Sequence, residues 1–429
     1  MEFSQEAYEL RLQELFRKFP SVQKDGFASG AYKAGLEGMR RLDAILGRPH
    51  ESYPTVHVAG TNGKGSVSSM IAASLAASGF RVGLYTSPHL VDFRERIKLL
   101  DLQLRSIRNN GAEMIGKEAV WEFLERFDRE LEGLSFFEIT TGMALWWFRE
   151  QEVDIAVIEV GLGGMLDSTN IITPLASVVT SIGLDHCSLL GSTRPLIAEQ
   201  KAGIFKPGVP AVVGCCDDEI RPVFEKTARR LPCPLLSSEG SAARAGLDAS
   251  ELDLRGEYQK ENLDTAVCAL QAAGLPVCPE GIANAAALTG FHGRWEILRE
   301  EPLTIADIGH NPAALKLNFA QLEKEASGRP LTIVYGIMAD KDLDSIIPMM
   351  PFGAHYILCA PDSARALPAG KLQERILAAR PGLDTETASS VTLAVKKARE
   401  TAGTKGVVYI GGSAFVVAEA LRDNLQENI

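Results

Sequence analysis

The sequence predicts an α/β protein of two domains: a P-loop domain with a doubly wound parallel sheet over residues 1–297, and a smaller Rossmann-like domain over residues 298–429. Three observations carry this. Residues 55–66, T-V-H-V-A-G-T-N-G-K-G-S, are β-prone to Ala59, break into glycines, and lead into apolar residues at helical spacing, Val67, Met70, Ile71 and Leu75. Residues 153–160, V-D-I-A-V-I-E-V, are too apolar for an edge and read as a central parallel strand. After G-R-W-E-I-L-R-E-E-P at 293–302 the alternation of strands and helices restarts, and such alternation implies a second parallel sheet.

The elements follow in order. Before the glycine turn, helices are read around Tyr8, Leu10, Leu12, Leu15 and Phe16 and around Met39, Leu42, Ile45 and Leu46, with a loop marked by glycine and proline between them. Gly79 caps the helix after the turn, and 81–85 is the next strand. T-S-P-H-L at 86–90 then falls at a strand's C-terminal end, where open α/β sheets keep their ligands. The alternating apolar residues of 99–108 suggest lengthened hairpin strands. Helices are expected at 118–131 and 140–148, with Trp146 and Trp147 in the core. Strands follow at 174–181 and 211–213. In the second domain, strands are expected at 304–307, 331–336, 355–359 and 406–410, and helices at 313–325, 343–350, 369–379, 391–401 and 415–424.

Composition narrows the class. At 429 residues, 46% hydrophobic and 23% charged, the chain has the make-up of a water-soluble globular protein too long for one core. A net charge of -11 disfavours nonspecific nucleic-acid binding. No apolar run is long enough for a membrane span, and the acidic start M-E-F-S-Q-E is unlike a signal peptide, so a cytoplasmic protein is expected. Seven cysteines form no C-x-x-C pair, which suits reduced thiols used for packing.

The glycine turn is where chemistry is expected. Gly60, Gly63 and Gly65 permit close backbone approach, so successive N–H groups can turn inward on an anion at a helix N-terminus. Lys64 adds a mobile cation, and the Ser66 hydroxyl can ligate a magnesium ion bridging two phosphates. The ordinary P-loop places Ser or Thr directly after Lys; here Gly65 intervenes, and a tight turn with no ligand is the bland alternative. Glu159 ends an apolar strand, where a carboxylate is costly to bury unless paired or metal-bound; capping the following G-L-G-G turn is its alternative. His186, in G-L-D-H-C, is either a ligand or structural. Lys201, in A-E-Q-K-A-G-I-F-K-P-G, reads by itself as a surface lysine of a helix.

G-T-N-G-K-G-S resembles the nucleotide loop of the Mur ligase superfamily, and within it the folylpolyglutamate synthase and dihydrofolate synthase family. T-S-P-H-L, E-V-G-L-G-G-x-L-D-S-T-N, G-L-D-H, K-A-G-I-F, G-R, D-x-x-H-N-P and G-G-S follow in the family's order and cover nearly the whole chain. The resemblance implies an ATP-binding, ATPase-like first domain and a glutamate-ligase second domain. It implies that Thr61, Asn62, Gly63, Lys64 and Gly65 hold ATP phosphates, and that Asn262, Arg294 and Asp307 complete the nucleotide site. One magnesium ion would lie on Ser87 and Glu159 with Ser66 nearby, and a second on Glu159, His186 and a carbamylated Lys201. The pterin pocket would draw on Lys33, Ala34 and Gly35, on Ser135, Phe136, Phe137 and Glu138, and on Leu166, Asp167 and Ser168. His310 and Asp307 would position the glutamate amine, and Ser413 would help bind glutamate.

Implied, then, is ATP-dependent ligation of L-glutamate to dihydropteroate or to a reduced folate, with two Mg2+ ions, by a monomer with no nucleic-acid or membrane partner. Three departures from the family pattern stand out: Met165 for the usual Arg, Gln200 for the usual Glu, and the 99–108 extension. A folylpolyglutamate synthase alone, a cell-wall Mur ligase and a nucleotide-binding module are the alternatives. The second is expected to carry an N-terminal UDP-sugar domain, and only about fifty residues precede the glycine turn.

Overall fold

The computed structural model describes residues 3–21, 25–26, 35–102 and 112–427. Lys33, Ala34 and most of the 99–108 extension lie outside the described residues. The chain forms two compact units: Met1–Asp253 with Gln259–Phe291, and Leu254–Tyr258 with His292–Ile429. A cut between residues 297 and 298 would pass through a strand of the second unit.

The first unit holds an eight-stranded sheet in the order β4-β3-β2-β5-β1-β6-β7-β8. Its strands are β1 Thr55–Ala59, β2 Val82–Tyr85, β3 Ile97–Leu100, β4 Glu113–Met114, β5 Ile155–Glu159, β6 Ala176–Val179, β7 Ala211–Val213 and β8 Leu235–Ser237. All pairs are parallel except β2 with β3 and β3 with β4, which form an antiparallel edge. β1 lies between β5 and β6, with Val58 opposite Glu159 and Ala59 opposite Val179. That register brings three strand ends level, so the glycine turn, the G-L-G-G turn and the turn after β6 leave the sheet side by side.

Helix Lys64–Ala77 is buried from Gly65 to Ala76, because its small residues let neighbouring helices close on every side. Trp146 and Trp147 are core residues, as expected. Their helix begins earlier than the sequence suggested, at Phe136 rather than 140. Ser135 and Glu138 explain this: they form a capping box, each side chain serving the other's backbone N–H. The cysteines fit the packing expectation only in part. All seven are free, with Cys268 and Cys359 buried but Cys187 and Cys215 exposed.

The second unit holds a six-stranded sheet in the order β13-β12-β11-β14-β10-β9. It comprises β9 Glu296–Glu300, β10 Leu303–Ala306, β11 Leu331–Tyr335, β12 Ala354–Leu358, β13 Asp384–Thr387 and β14 Val407–Gly411. β9 is antiparallel to β10, so part of the 293–302 segment that precedes the restart of the alternation is itself an edge strand. β13 also escaped the sequence reading. Its D-T-E-T has no apolar face, and it is held from the side by His355 of β12.

His355 sets Nδ1 2.8 Å from Asp384 Oδ2 and Nε2 3.0 Å from Glu386 Oε1, and Lys397 also pairs with Glu386. Both ring nitrogens donate only in the imidazolium. Burial by itself lowers the His355 pKa, but the hydrogen bonds to Glu386 and Asp384 outweigh it and raise the value. A raised folded pKa gives stability that is fully present below the unfolded value of about 6.5 and is lost as pH rises through the folded value. The gap in denaturant midpoint between wild type and His355→Gln should therefore be widest below the unfolded value of about 6.5 and narrow as pH rises above it. A gap that grows with pH would contradict the pairing.

Candidate active site

The glycine turn after β1 is held from the side by the turn after β6. Thr61 N–H donates to Ser181 O at 2.8 Å, and the Thr61 hydroxyl exchanges bonds with Gly183. Asn62 N–H donates to Ser181 Oγ, and the Thr180 and Ser181 hydroxyls both donate to Asn62 O. Gly63 has φ +86°, and a Cβ there would run into Asn262 Oδ1, so the position suits only glycine on two counts. Asn262 thus sits directly against the turn. Its Nδ2 donates to Gln259 Oε1 at 2.8 Å, and Gln259 Nε2 donates to Ser66 Oγ at 3.2 Å. Gln259 is fully buried and was missed from sequence, because nothing in Q-K-E-N-L-D marks it as different from a helix-surface glutamine. Ser66 is also buried, with its oxygen already accepting from Gln259.

Two lysines converge on one carbonyl. Lys64 Nζ donates to Gly60 O at 3.1 Å and to Thr61 O at 3.3 Å, and Lys201 Nζ donates to the same Gly60 O at 2.8 Å. Lys201 is 4% exposed, which overturns the reading of a surface lysine. Burial, and then the nearby Lys64 charge, push its pKa down to about 7, while Asp185 and Asp167 pull the other way. The helix bearing it, Arg194–Ala202, is clamped by the loop after β5. Gly164 packs so close that a Cβ would stand 2.7 Å from Gln200 O and 3.0 Å from Lys201 Cα. Met165 N–H donates to that Gln200 carbonyl, and Asn170 Nδ2 donates to Met165 O and Gly203 O. Lys206, the neighbouring lysine, donates to Asn170 O and so holds the same loop.

Glu159 is 2% exposed at the end of β5, where its Oε2 accepts the Ser87 N–H at 3.0 Å and would lie 3.7 Å from a Cβ at Gly65. This brings Glu159, Ser87 and the glycine turn together. His186 follows the turn after β6 at φ +53°, a left-handed conformation uncommon for a residue with a Cβ, and its N–H donates to Asp185 Oδ1. Among the described residues no three His, Cys, Asp or Glu side chains are grouped to hold a metal. The oxygen groups this arrangement brings together are the buried Glu159 carboxylate and Ser87, the kind of donor magnesium takes, whereas a charged lysine nitrogen binds no cation.

The residues expected around a pterin divide. Phe136 is 3% exposed, stacked on Phe16 and under the Arg96 guanidinium, so it belongs to the core and offers no free face. Phe137 lies against Gly161 and is partly buried. Glu138 Oε2 is occupied by Ser135 N–H and Oγ–H, which leaves it a capping residue first. Leu166 is exposed, whereas Ser168 is buried and the fully buried Asp167 accepts from Leu162 N–H, Thr169 N–H and Thr169 Oγ–H. Gly35 is described at φ +126°.

In the second unit Asp307 is 2% exposed at the end of β10. Its carboxylate accepts from four donors: Tyr258 O–H at 2.6 Å, Trp295 N–H at 2.9 Å, and Gly309 N–H and Asn318 Nδ2 each at 2.7 Å. Asp307 is thus an organising group, fixing the loop that presents His310. His310 Nδ1 faces Ile308 O at 3.1 Å; a carbonyl only accepts, so a neutral His310 carries its proton on Nδ1. Asn311 caps helix Pro312–Ala326, which accounts for the N-P of the motif. Arg294 donates to Gly293 O, and Ser413 is a buried serine whose Oγ accepts from Val416 N–H.

Residues 293–414 match the Mur ligase, glutamate ligase domain. The chain is 34% identical to a probable bifunctional folylpolyglutamate synthase/dihydropteroate synthase of Haloferax volcanii over 90% of its own length. It spans only about half of that relative, 48%. It is 35% identical to the folylpolyglutamate synthase of Lacticaseibacillus casei, covering 75% of this chain and 80% of the relative. Identity to the dihydrofolate synthase/folylpolyglutamate synthase of Escherichia coli is 32%, covering 90% of each. Among solved structures, Escherichia coli FolC in complex with DHPP and ADP superposes with TM-score 0.82 at 28% identity, covering 98% of both chains. The Yersinia pestis bifunctional enzyme complexed with AMPPNP and Mn ion gives 0.80 at 27%, covering 97% of both. With the ordered motifs, the two α/β units and these likenesses in agreement, the chain belongs to the folylpolyglutamate synthase/dihydrofolate synthase family of the Mur ligase superfamily.

Proposed function

We propose that this protein is a bifunctional dihydrofolate synthase and folylpolyglutamate synthase, joining L-glutamate to dihydropteroate and to the γ-carboxylate of reduced folates at the expense of ATP. The observation that carries the reading is the pair of lysine nitrogens on Gly60 O, in a glycine turn at a helix N-terminus whose Gly65 lies near the buried Glu159 carboxylate. A Lys64 charge set so close to a second lysine nitrogen favours an anion between them, and a nucleotide triphosphate is the anion the family consumes.

A carboxylate is a poor electrophile, so its oxygen first attacks the γ-phosphorus of ATP and ADP leaves. The acyl phosphate then takes the glutamate amine at its carbonyl carbon, phosphate departs and the amine gives up a proton. In this reading Thr61, Asn62, Gly63 and Gly65 direct backbone groups at the phosphates, and Lys64 swings off the Gly60 and Thr61 carbonyls to follow the charge. Asn262 and Arg294 serve the nucleotide. Two magnesium ions, when bound, neutralise charge on the transferred phosphoryl group. Ser87 and Glu159 would hold one, and Glu159, His186 and a carbamylated Lys201 the other, with Ser66 kept by Gln259 at the rim of the first. Carbamylation, the addition of carbon dioxide to the neutral amine with loss of a proton, turns a buried amine into an anionic oxygen ligand, and burial supports it because it pushes the Lys201 pKa down to about 7 and so raises the neutral fraction. Asp307 orients the His310 loop, His310 Nε2 faces the amine, and Ser413 contributes to glutamate binding. Phe137, Leu166 and Ser168 line the pterin side, with Glu138 and Asp167 shaping it and Lys33, Ala34 and Gly35 completing it. The same reading takes the protein to be a cytoplasmic monomer without nucleic-acid or membrane partners. Met165 favours a narrower alternative, folylpolyglutamate synthase only, since it removes a cation from this loop.

Purified protein given dihydropteroate, L-glutamate and Mg-ATP is expected to form dihydrofolate and ADP, measured by mass spectrometry. Product from tetrahydrofolate alone would leave only the second activity, and no folate-stimulated ADP from either acceptor would remove the assignment. Lys201→Ala should lower kcat by about a hundredfold or more, whereas the exposed Lys226→Ala should keep wild-type turnover; equal effects would deny Lys201 a special role. Lys206→Ala is expected to fall between them, because its bond to Asn170 O is lost.

A further inference from the structure

His57 sits in the middle of β1, fully buried, opposite Ile158 of β5 and Ser177 of β6. Its Nε2 is 2.8 Å from Thr169 Oγ1. The Thr169 hydroxyl is also hydrogen-bonded to Asp167 Oδ1, which takes Thr169 N–H at 3.0 Å as well, while Asp167 Oδ2 takes Leu162 N–H at 2.9 Å. The direction of these bonds follows from their chemistry. A carboxylate only accepts, so the Thr169 proton goes to Asp167, and Thr169 must in turn accept from His57 Nε2–H. Burial keeps the ring neutral, with its pKa pushed down to about 3, so the single ring proton lies on Nε2. Nδ1 is left as a buried lone pair with no hydrogen-bond partner. A valine would cost less at this place in the sheet, since it leaves no polar atom unsatisfied. What the imidazole adds is a donor aimed at the loop after β5. The donors on Asp167 hold it as an acceptor against the burial that raises its pKa.

We propose that His57 is a positioning residue for that loop: acting through Thr169, it fixes the Asp167 carboxylate and thereby the placement of Leu166 and Ser168, which set affinity for the pterin substrate. This rests on the reading that the loop faces the pterin. The chain of bonds links residues 112 apart in sequence and runs entirely inside the first unit.

The test uses the full-length protein with dihydropteroate and ATP varied separately. Thr169→Val, close to isosteric, should raise the dihydropteroate KM by about tenfold while the ATP KM stays within about twofold. Thr169→Ser, which keeps the hydroxyl, should restore it. His57→Gln keeps a donor near the Nε2 position and should fall closer to wild type than His57→Leu. Combining Thr169→Val with His57→Leu should cost no more than Thr169→Val alone. Proton–nitrogen NMR of the imidazole gives a readout independent of turnover, expecting an Nε2–H tautomer in wild type whose proton exchanges faster in Thr169→Val. An unchanged dihydropteroate KM in Thr169→Val, an equal rise in both KM values, or an Nδ1–H tautomer would overturn the proposal while leaving the ligase reading intact. Absence of any wild-type turnover would overturn both.

Discussion

The first unit is built around one carbonyl oxygen that accepts from two lysines. Gly60 O receives Lys64 at 3.1 Å and Lys201 at 2.8 Å, and two ammonium groups that close repel unless one is neutral or an anion lies between them. The surroundings make the arrangement possible. The register of β1 with β5 and β6 brings the three turns level. Gly164, having no Cβ, lets the Lys201 helix pass within van der Waals reach, and Met165, Asn170 and Lys206 tie the loop to that helix. Packing and charge thus work against each other at this point.

The second unit solves a different problem with one carboxylate. Asp307 gathers Tyr258, Trp295, Gly309 and Asn318. Tyr258 belongs to the short segment where the chain first enters this unit, and Trp295 to the place where it returns for good. A buried carboxylate with so many donors is satisfied without a cation, which makes Asp307 an anchor for backbone and places His310 and Asn311 in a fixed loop.

Much of this was legible in the sequence, for reasons tied to particular residues. The change of period at Gly60 marks the end of β1 and the start of its helix, and the apolar run before Glu159 marks a central strand. The N-P after His310 marks a helix start. Other features depend on partners distant in the chain, which periodicity cannot report. Gln259 looks like any helix-surface glutamine until Ser66 and Asn262 are seen on either side of it. His57 looks like an interruption of a valine strand until Thr169 is seen at its Nε2. Phe136 suits a core or a flat ligand equally well in the sequence, and its packing on Phe16 and Arg96 sets it in the core. The S-x-x-E of Ser135 and Glu138 is a capping-box pattern visible in the sequence. β9 and β13 carry charged and polar residues on both faces, so they are strands through their neighbours alone.

The central claim is that the loop from Gly60 to Ser66 accepts a magnesium-bound triphosphate through Lys64. Calorimetric titration of the purified protein with ATP and magnesium tests this most directly. Saturable binding that Lys64→Ala weakens by about tenfold or more is the predicted result; no binding, or equal affinity in wild type and Lys64→Ala, would contradict it.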